Sequence, residues 1–182
     1  MNEKMKQIVF AGGCFWCTEA VFQRLEGVED VVPGFAGGNI KNPAYREVIT
    51  GRTGHAECVQ VTYNPERVSL HTLLEVFFAT HDPTTLNRQQ NDVGTQYRSA
   101  IYYSTAEEKE NIKDFISHLA EQEVFENPIV TQVEPLEAFY TAEVTHHDYY
   151  NQNTSQPYCQ YIISPKIEKI KKFYSEKLKT NA

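Results

Sequence analysis

The sequence predicts a mixed α/β domain (α/β or α+β) in which a sheet packs against a layer of helices. Segments with the pattern of strands alternate with segments with the pattern of helices along the whole chain. The 182 residues contain no linker, internal repeat or low-complexity tract that would divide them. We therefore expect one domain over residues 1–182, with two layers and long functional loops, and with a strand order that the pattern leaves open.

The first half of the chain predicts three strands and two helices. They are a strand over 6–11, a helix over 15–25, strands over 28–32 and 57–63, and a helix over 70–80 that Ser69 caps. The stretch from Pro33 to about Gly54 is rich in glycine and proline, which indicates mostly loop. Loops of this length inside a compact domain are commonly functional.

The second half continues the alternation. A polar, turn-rich loop over 81–95 leads to a strand over 97–103, and a capping box from Thr105 to Glu108 begins a helix. A strand over 129–133 is followed by an aromatic and polar segment over 139–157, which we expect to be a mobile tail. Pro165 begins the last helix, whose lysines alternate with apolar residues as on a solvated amphipathic helix.

The composition excludes several classes of function. The net charge is -7, the sequence pI is about 5.4 and no basic stripe is present, which argues against a nucleic-acid or anionic-membrane surface. No segment has the apolar core of a signal peptide, and none approaches the ~20 apolar residues of a membrane span. We expect a cytoplasmic protein.

Cys14 is the strongest candidate for a reactive group. It follows an apolar strand and two glycines and precedes a helix-like run. The first N–H groups of a helix, together with the helix dipole, stabilise an anion, so we expect a lowered pKa for this thiol. Phe15 and Trp16, the only tryptophan, provide an apolar wall beside it. The alternative is an inert cysteine in the core.

The four cysteines are too few and too scattered for a secreted disulfide scaffold, and four other interpretations compete. The first is a thiol-disulfide motif formed by Cys14 and Cys17. The second is a zinc site or zinc-dependent binding module of Cys14, Cys17, His55 and Cys58. The third is a Cys-His-Asn hydrolytic or acyl-transfer site. The fourth is a reductase thiol whose sulfenic acid is resolved by a distant cysteine, which Cys159 favours because it sits in a loop context.

Glu57 is the candidate acid. It begins an apolar strand, where a carboxyl group is partly removed from water and can keep its proton near neutral pH. The alternative interpretation is a surface glutamate at the edge of the sheet.

Four motifs occur together in one order: Gly13-Cys14-Phe15-Trp16, Gly34-Phe35-Ala36-Gly37-Gly38, Gly54-His55-Ala56-Glu57 and Gly94-Thr95-Gln96-Tyr97-Arg98-Ser99. With these motifs the chain closely resembles the peptide methionine sulfoxide reductase A family, over about residues 7–172. The resemblance implies a two-layer α/β sandwich with a ferredoxin-like core and a mixed sheet. It also implies reduction of the S epimer of methionine sulfoxide, free or in oxidised proteins, with thioredoxin as reductant. Such a protein repairs oxidative damage, needs no metal or organic cofactor, and is expected to be a monomer.

The resemblance also assigns roles to residues. Cys14 matches the nucleophile and Glu57 the acid. The other matches are Phe15 and Trp16 for the pocket that takes the S-methyl group, Tyr45 and Tyr97 for the donors to the sulfoxide oxygen, and Asp92 for the aspartate that helps to hold the substrate backbone.

The resolving thiol is the open question of the sequence. Many family members have glycine where this chain has Cys17, so Cys17 competes with Cys159 for this role. We favour Cys159, because a flexible tail could reach the site after methionine leaves, whereas a disulfide between Cys14 and Cys17 would strain the turn that activates Cys14.

Overall fold

The computed structural model describes residues 4–180 and 182. The strands are β1 (Lys6–Gly12), β2 (Val28–Ala36), β3 (Ala56–Tyr63), β4 (Arg88–Gln89), β5 (Asp92–Val93), β6 (Ser99–Tyr103), β7 (Gln132–Pro135) and β8 (Phe139–Thr141). The helices are α1 (Phe15–Phe22), α2 (Tyr45–Val48), α3 (Leu70–Ala79), α4 (Ala106–Glu121), α5 (Tyr149–Gln152) and α6 (Ser164–Phe173), and a π-helical segment, Cys159–Ile163, runs directly into α6.

Six strands form a mixed sheet in the order β7-β6-β1-β3-β2-β8. Neighbouring strands are antiparallel except for β6 and β7, which are parallel. β1 is central because its apolar run from Ile8 to Ala11 is buried on both faces. The expected mixed α/β fold is therefore confirmed.

The two faces of the sheet are covered differently. The helical layer packs on the face that carries Phe10, whose ring lies 4.8 Å from the rings of both Phe22 in α1 and Phe77 in α3. The opposite face carries a smaller cluster that includes Val9, Cys58 and other small residues. The site described below lies where β1 leaves the sheet and enters α1.

The capping predictions hold. Ser69 precedes α3 and its hydroxyl accepts the Thr72 N–H at 3.1 Å, while Thr105 accepts the Glu108 N–H at 3.2 Å. The Glu108 carboxylate accepts from the Ser104 N–H at 2.7 Å, one residue before the usual partner in a capping box.

Several predicted boundaries are wrong. β2 continues through Pro33 to Ala36 because that stretch pairs with β3 over its whole length, and α2 lies inside the expected loop. α1 ends at Phe22, three residues early. The strand predicted over 97–103 begins at Ser99, the strand predicted over 129–133 lies at 132–135, and the loop over 81–95 contains the short β4–β5 pair.

The C-terminal tail is not a mobile loop. Cys159 is fully buried and begins the π-helical segment, which contacts α1. The tail is held against the domain because Tyr149 stacks on Trp16, Tyr158 meets the same ring edge-on, and the hydroxyls of Tyr150 and Ser164 hydrogen bond at 2.7 Å. Pro165 lies in the first turn of α6, as expected. None of the helices in the described ranges is both long and apolar enough to cross a lipid bilayer.

Candidate active site

Cys14 lies at the N-cap of α1, directly after the end of β1. Gly13 makes this turn with a φ of 98°, and a Cβ at this position would fall 2.7 Å from Cγ of Gln89, so glycine is required for both reasons. The Cys14 side chain is 9% exposed. The thiol therefore lies at a helix N-terminus, as the sequence predicts, but it is almost completely removed from water.

Glu57 lies beside Cys14, on β3. Its Oε1 accepts the backbone N–H of Phe15 at 3.1 Å, and its Oε2 has no hydrogen-bond partner within the described part of the chain. Burial raises the pKa of this carboxyl to about 8, although the hydrogen bond from Phe15 acts in the opposite direction. Glu57 is therefore protonated at neutral pH, and the interpretation as a surface glutamate is wrong.

Cys17 is the nearest thiol to Cys14. Their side chains hydrogen bond, and the Cys17 N–H donates to the Cys14 carbonyl at 3.1 Å, since the N-cap and the third helical residue are neighbours at the start of a helix. Each of the four cysteines is a free thiol. Cys17 also contacts Tyr158, with 3.6 Å between the sulfur and the phenolic oxygen.

The pKa values of the Cys14 and Cys17 thiols are shifted in opposite directions. Burial raises the pKa of the Cys14 thiol, and its hydrogen bond to Cys17 and the nearby Glu57 carboxyl act in the same direction. The prediction that the helix N-terminus lowers the pKa of Cys14 is therefore wrong for the reduced protein. The hydrogen bond from Cys14 lowers the pKa of Cys17 to about 7. The pair thus loses one proton near neutral pH and holds the remaining one between two sulfurs.

Tyr45 and Tyr97 belong to the same cluster. Burial raises the pKa of each phenol, and the charges of Glu57 and Cys14 raise them further. Both hydroxyls therefore remain hydrogen-bond donors at any pH at which the protein works. Tyr45 is fixed at the start of α2, where its N–H donates to the Glu143 carboxylate at 3.2 Å.

Aromatic rings form the walls of the site. Phe15 is fully buried, with its ring centroid 5.9 Å from that of Tyr45. Trp16 is only partly buried, and Tyr149 stacks on it at 3.8 Å. The indole N–H of Trp16 donates to Nδ1 of His146 at 3.2 Å.

Sequence reasoning missed three members of this wall, namely His146, Tyr149 and Tyr158. The signal that could have found them is the dense aromatic composition of the tail over 139–158, which we interpreted only as a loop.

Asp92 and Cys159 lie further from Cys14. Asp92 is half-buried at the rim and accepts a hydrogen bond from the Tyr158 hydroxyl at 2.8 Å. Cys159 interacts with Cys17, whose charge raises its pKa in addition to burial, and the structure describes no hydrogen bond from it to Cys14 within residues 4–180.

The comparisons with known proteins agree with this geometry. The family model described as peptide methionine sulfoxide reductase matches residues 6–178. The chain belongs to this family.

A relative and two solved structures illustrate the similarity. The peptide methionine sulfoxide reductase MsrA of Deinococcus radiodurans is 52% identical over 174 residues, which cover 96% of this chain and 84% of the relative. Methionine sulfoxide reductase A of Corynebacterium diphtheriae superposes with a TM-score of 0.79 at 36% identity, covering 84% of this chain and 76% of that one. Mxr1 from Saccharomyces cerevisiae in complex with Trx2 superposes with a TM-score of 0.57 at 28% identity, covering 81% and 87%.

The zinc interpretation is wrong. His55 uses both ring nitrogens in the loop, since Nδ1 accepts the Gly38 N–H at 3.0 Å and Nε2 donates to the Ile40 carbonyl at 2.6 Å. The Cys58 thiol donates to the Gly34 carbonyl at 3.6 Å inside the small-residue cluster. Among the described residues, no group of three or more histidines, cysteines or carboxylates could hold a metal ion.

Proposed function

We propose that this member of the family reduces methionine (S)-sulfoxide, free and in proteins, with Cys14 as the nucleophile. One observation carries this proposal: a thiol at a helix N-terminus, a carboxyl group that keeps its proton to a pH of about 8, and two phenolic donors share one aromatic-walled cluster. A sulfoxide sulfur accepts a nucleophile only when its oxygen is protonated or strongly hydrogen bonded, and this cluster contains both kinds of group.

The first step joins the Cys14 sulfur to the sulfoxide sulfur. Cys14 transfers its remaining proton to Cys17 as it attacks, while Glu57 protonates the oxygen and the hydroxyls of Tyr45 and Tyr97 donate hydrogen bonds to it. The oxygen then passes to Cys14, so that methionine leaves and a sulfenic acid remains. The sulfoxide is reduced by two electrons and Cys14 is oxidised by two.

The walls select the substrate in this proposal. The S-methyl group lies against Phe15 and Trp16, since apolar rings favour an apolar group and offer no charge. Asp92 accepts a hydrogen bond from the substrate backbone at the rim, where it is half-exposed. Its link to Tyr158 holds this carboxylate in position.

We propose that Cys17, rather than Cys159, forms the first disulfide with Cys14. The interaction between the two side chains supports this order, as does the position of Cys14 at the N-cap and Cys17 at the third helical residue, which is the spacing of a thiol-disulfide motif. Cys159 acts second. Its thiolate attacks the Cys17 sulfur, which releases Cys14 and leaves a Cys17–Cys159 disulfide, and the charge interaction between these two thiols supports this exchange.

Thioredoxin then reduces the last disulfide, and the complex of the yeast relative with Trx2 supports this choice of reductant. We propose that the chain works as a monomer in the cytoplasm, where cysteines stay reduced, and needs no cofactor. We also infer a ferredoxin-like core, which is supported by β6, β1, β3 and β2 lying side by side in antiparallel order with α1 and α3 as crossovers.

Separated sulfoxide epimers and dithiothreitol test the activity. We expect methionine to form from the S epimer, with the R epimer slower by at least about 100-fold, in line with discrimination by a shaped polar site. Equal rates for both epimers, or no methionine from either, would contradict the proposal.

Peptide mapping under non-reducing conditions tests the order of the thiols. After one turnover, Cys159→Ser should contain a Cys14–Cys17 disulfide, and Cys17→Ser should hold Cys14 as a sulfenic acid that dimedone traps. A main Cys14–Cys159 disulfide in the wild-type protein, with Cys17 free at the earliest times, would restore our expectation from the sequence.

A further inference from the structure

Lys166 is a half-buried cation beside the second thiol of the pair. It lies in the first turn of α6, and its side chain lines the same small cavity as Cys17, together with Thr80 and His81. The Lys166 Nζ donates to the Thr80 carbonyl at 2.7 Å. Thr80 also lines the cavity, so this hydrogen bond holds the ammonium group at its edge.

Lys169 provides a direct contrast on the same helix. It lies almost one turn further along α6. Its Nζ donates to the carbonyl of Ala79, the last residue of α3, which directly precedes Thr80. Lys169 is exposed, and both lysines line an open groove beside α6, but only Lys166 also lines the small cavity that contains Cys17. Both lysines therefore tie α6 to α3, but Lys166 also faces a thiol.

The charges around Cys17 come from several elements. Lys166 acts from α6 and favours the thiolate, while Asp92 acts from β5 and opposes it. Burial lowers the pKa of His81, behind the cavity, to about 4, so this ring is neutral when the protein works. The remaining titratable neighbours are Cys14 at the start of α1, Glu57 on β3, and Tyr158 and Cys159 in the tail.

We propose that Lys166 is a positioning residue that stabilises the Cys17 thiolate and so accelerates the attack of Cys17 on the Cys14 sulfenic acid. This inference rests on the proposed function and on Cys17 as the first resolving thiol. The Cys17 sulfur forms the S–S bond as the S–O bond of Cys14 breaks, and the oxygen leaves as hydroxide and takes up a proton to become water. The sulfoxide has already supplied the oxidising equivalents, so no further oxidant is needed.

The attack depends on charge because only the thiolate is nucleophilic. A half-buried ammonium group beside a small cavity is screened less by water and salt than one that is fully exposed. Once Cys17 enters the disulfide it carries no charge, so Lys166 acts only while Cys17 is reduced.

Lys166→Met and Lys169→Met form the matched pair for the test. Each variant removes one hydrogen bond between α6 and the end of α3, but only Lys166→Met removes a cation from the Cys17 cavity. The first readout is the pH dependence of iodoacetamide labelling at Cys17, followed by mass spectrometry of the peptide. We expect the midpoint to rise by about one pH unit in Lys166→Met and to stay unchanged in Lys169→Met.

The second readout separates the two chemical steps in a single turnover. At a pH of about 8, methionine release should stay within about twofold of wild type in Lys166→Met, because a midpoint near 8 still leaves about half of the pair with a thiolate. The sulfenic acid trapped by dimedone at Cys14 should persist about 5–10-fold longer, because the oxidised Cys14 no longer lowers the pKa of Cys17 and the thiolate then depends more on Lys166. Lys166→Arg should restore both readouts because it keeps the charge, and this variant decides the matter if Lys166→Met folds poorly. Identical behaviour of Lys166→Met and Lys169→Met, or failure of Lys166→Arg to rescue, would overturn the inference, whereas loss of methionine release in the wild type would instead refute the proposed function.

Discussion

Two buried glutamates, one at each end of the cluster around α1, look alike in isolation. Glu57 and Glu19 are each about 1–2% exposed, each accepts a backbone N–H and each leaves one carboxyl oxygen without a partner among the residues described. Burial raises the pKa of Glu57 to about 8 and that of Glu19 to about 7.

Their neighbours differ. Glu57 acts on Cys14, Tyr45 and Tyr97, whereas Glu19 accepts the N–H of Asp148, which precedes α5. Asp148 adopts a left-handed backbone with a φ of 55°, and the next residue, Tyr149, stacks on Trp16. A raised carboxyl pKa therefore reports burial, and the groups around it decide whether the carboxyl supplies a proton or holds a segment in place.

The largest difference between the two glutamates should be in the first chemical step. Glu57→Gln should slow methionine release in a single turnover by about 100-fold or more, because the amide cannot protonate the sulfoxide oxygen. Glu19→Gln should stay within about threefold, since its amide oxygen still accepts the Asp148 N–H. Rapid-quench measurement of methionine checks both, and equal losses would show that the two carboxyls share one role.

Tyr45 and Tyr97 provide a second test of the role of Glu57, because their hydroxyls are proposed to bind the same sulfoxide oxygen. Tyr45→Phe or Tyr97→Phe should each slow the first step by about 10-fold, and the double variant by more than the product, because in each single variant the remaining hydroxyl covers part of the loss. The same double-variant cycle in a Glu57→Gln background measures whether the donors act with the acid. Full additivity of all three would contradict a shared oxygen site.

The pH dependence of the first chemical step should distinguish the two glutamates, because only Glu57 is expected to produce the alkaline limb of the rate profile. The first step needs one thiolate in the Cys14–Cys17 pair, which forms above a pH of about 7, and a protonated Glu57, which is lost above about 8. The rate should therefore be highest between these values and fall on both sides. Glu57→Gln should lose the alkaline limb and keep the acid limb, and Glu19→Gln should keep both. An alkaline limb that survives in Glu57→Gln would assign it to another group.

The smallest effect concerns the segment that Glu19 holds. Glu19→Ala removes the acceptor of the Asp148 N–H, so Tyr149 should stack less firmly on Trp16. We expect KM to rise about 3–5-fold with kcat nearly unchanged, and the fluorescence of Trp16, the only tryptophan, to report the loosened stacking. A large fall in kcat with unchanged KM would place Glu19 in the chemistry.

Much of the fold followed from local pattern. The strand that precedes Cys14, the helices capped by Ser69 and Thr105 and the position of Pro165 depend on periodicity and caps, which act over a few residues. The extension of β2 through Pro33 could not be predicted from local pattern, because it depends on pairing with β3, more than twenty residues away.

Part of the candidate site could also be predicted from the sequence. The family resemblance pointed to Cys14, Glu57, Tyr45 and Tyr97, which the structure gathers in one cluster. The raised pKa of Cys14 and the burial of Cys159 did not follow, since both depend on how completely the tail covers α1, and residue type alone does not determine that.

Single-turnover methionine release by Cys14→Ser, compared with wild type and with Cys58→Ser, tests the central claim most directly. Cys58 is also fully buried with a raised pKa, but it lies in the cluster on the opposite face of the sheet, so its replacement controls for the loss of a buried thiol. The account predicts at least about one methionine per chain from wild type and from Cys58→Ser without any reductant, since the thiol exchange frees Cys14 for a second reaction. It predicts none from Cys14→Ser, whose hydroxyl stays neutral. Release of more than a few per cent of the wild-type amount by Cys14→Ser would contradict it.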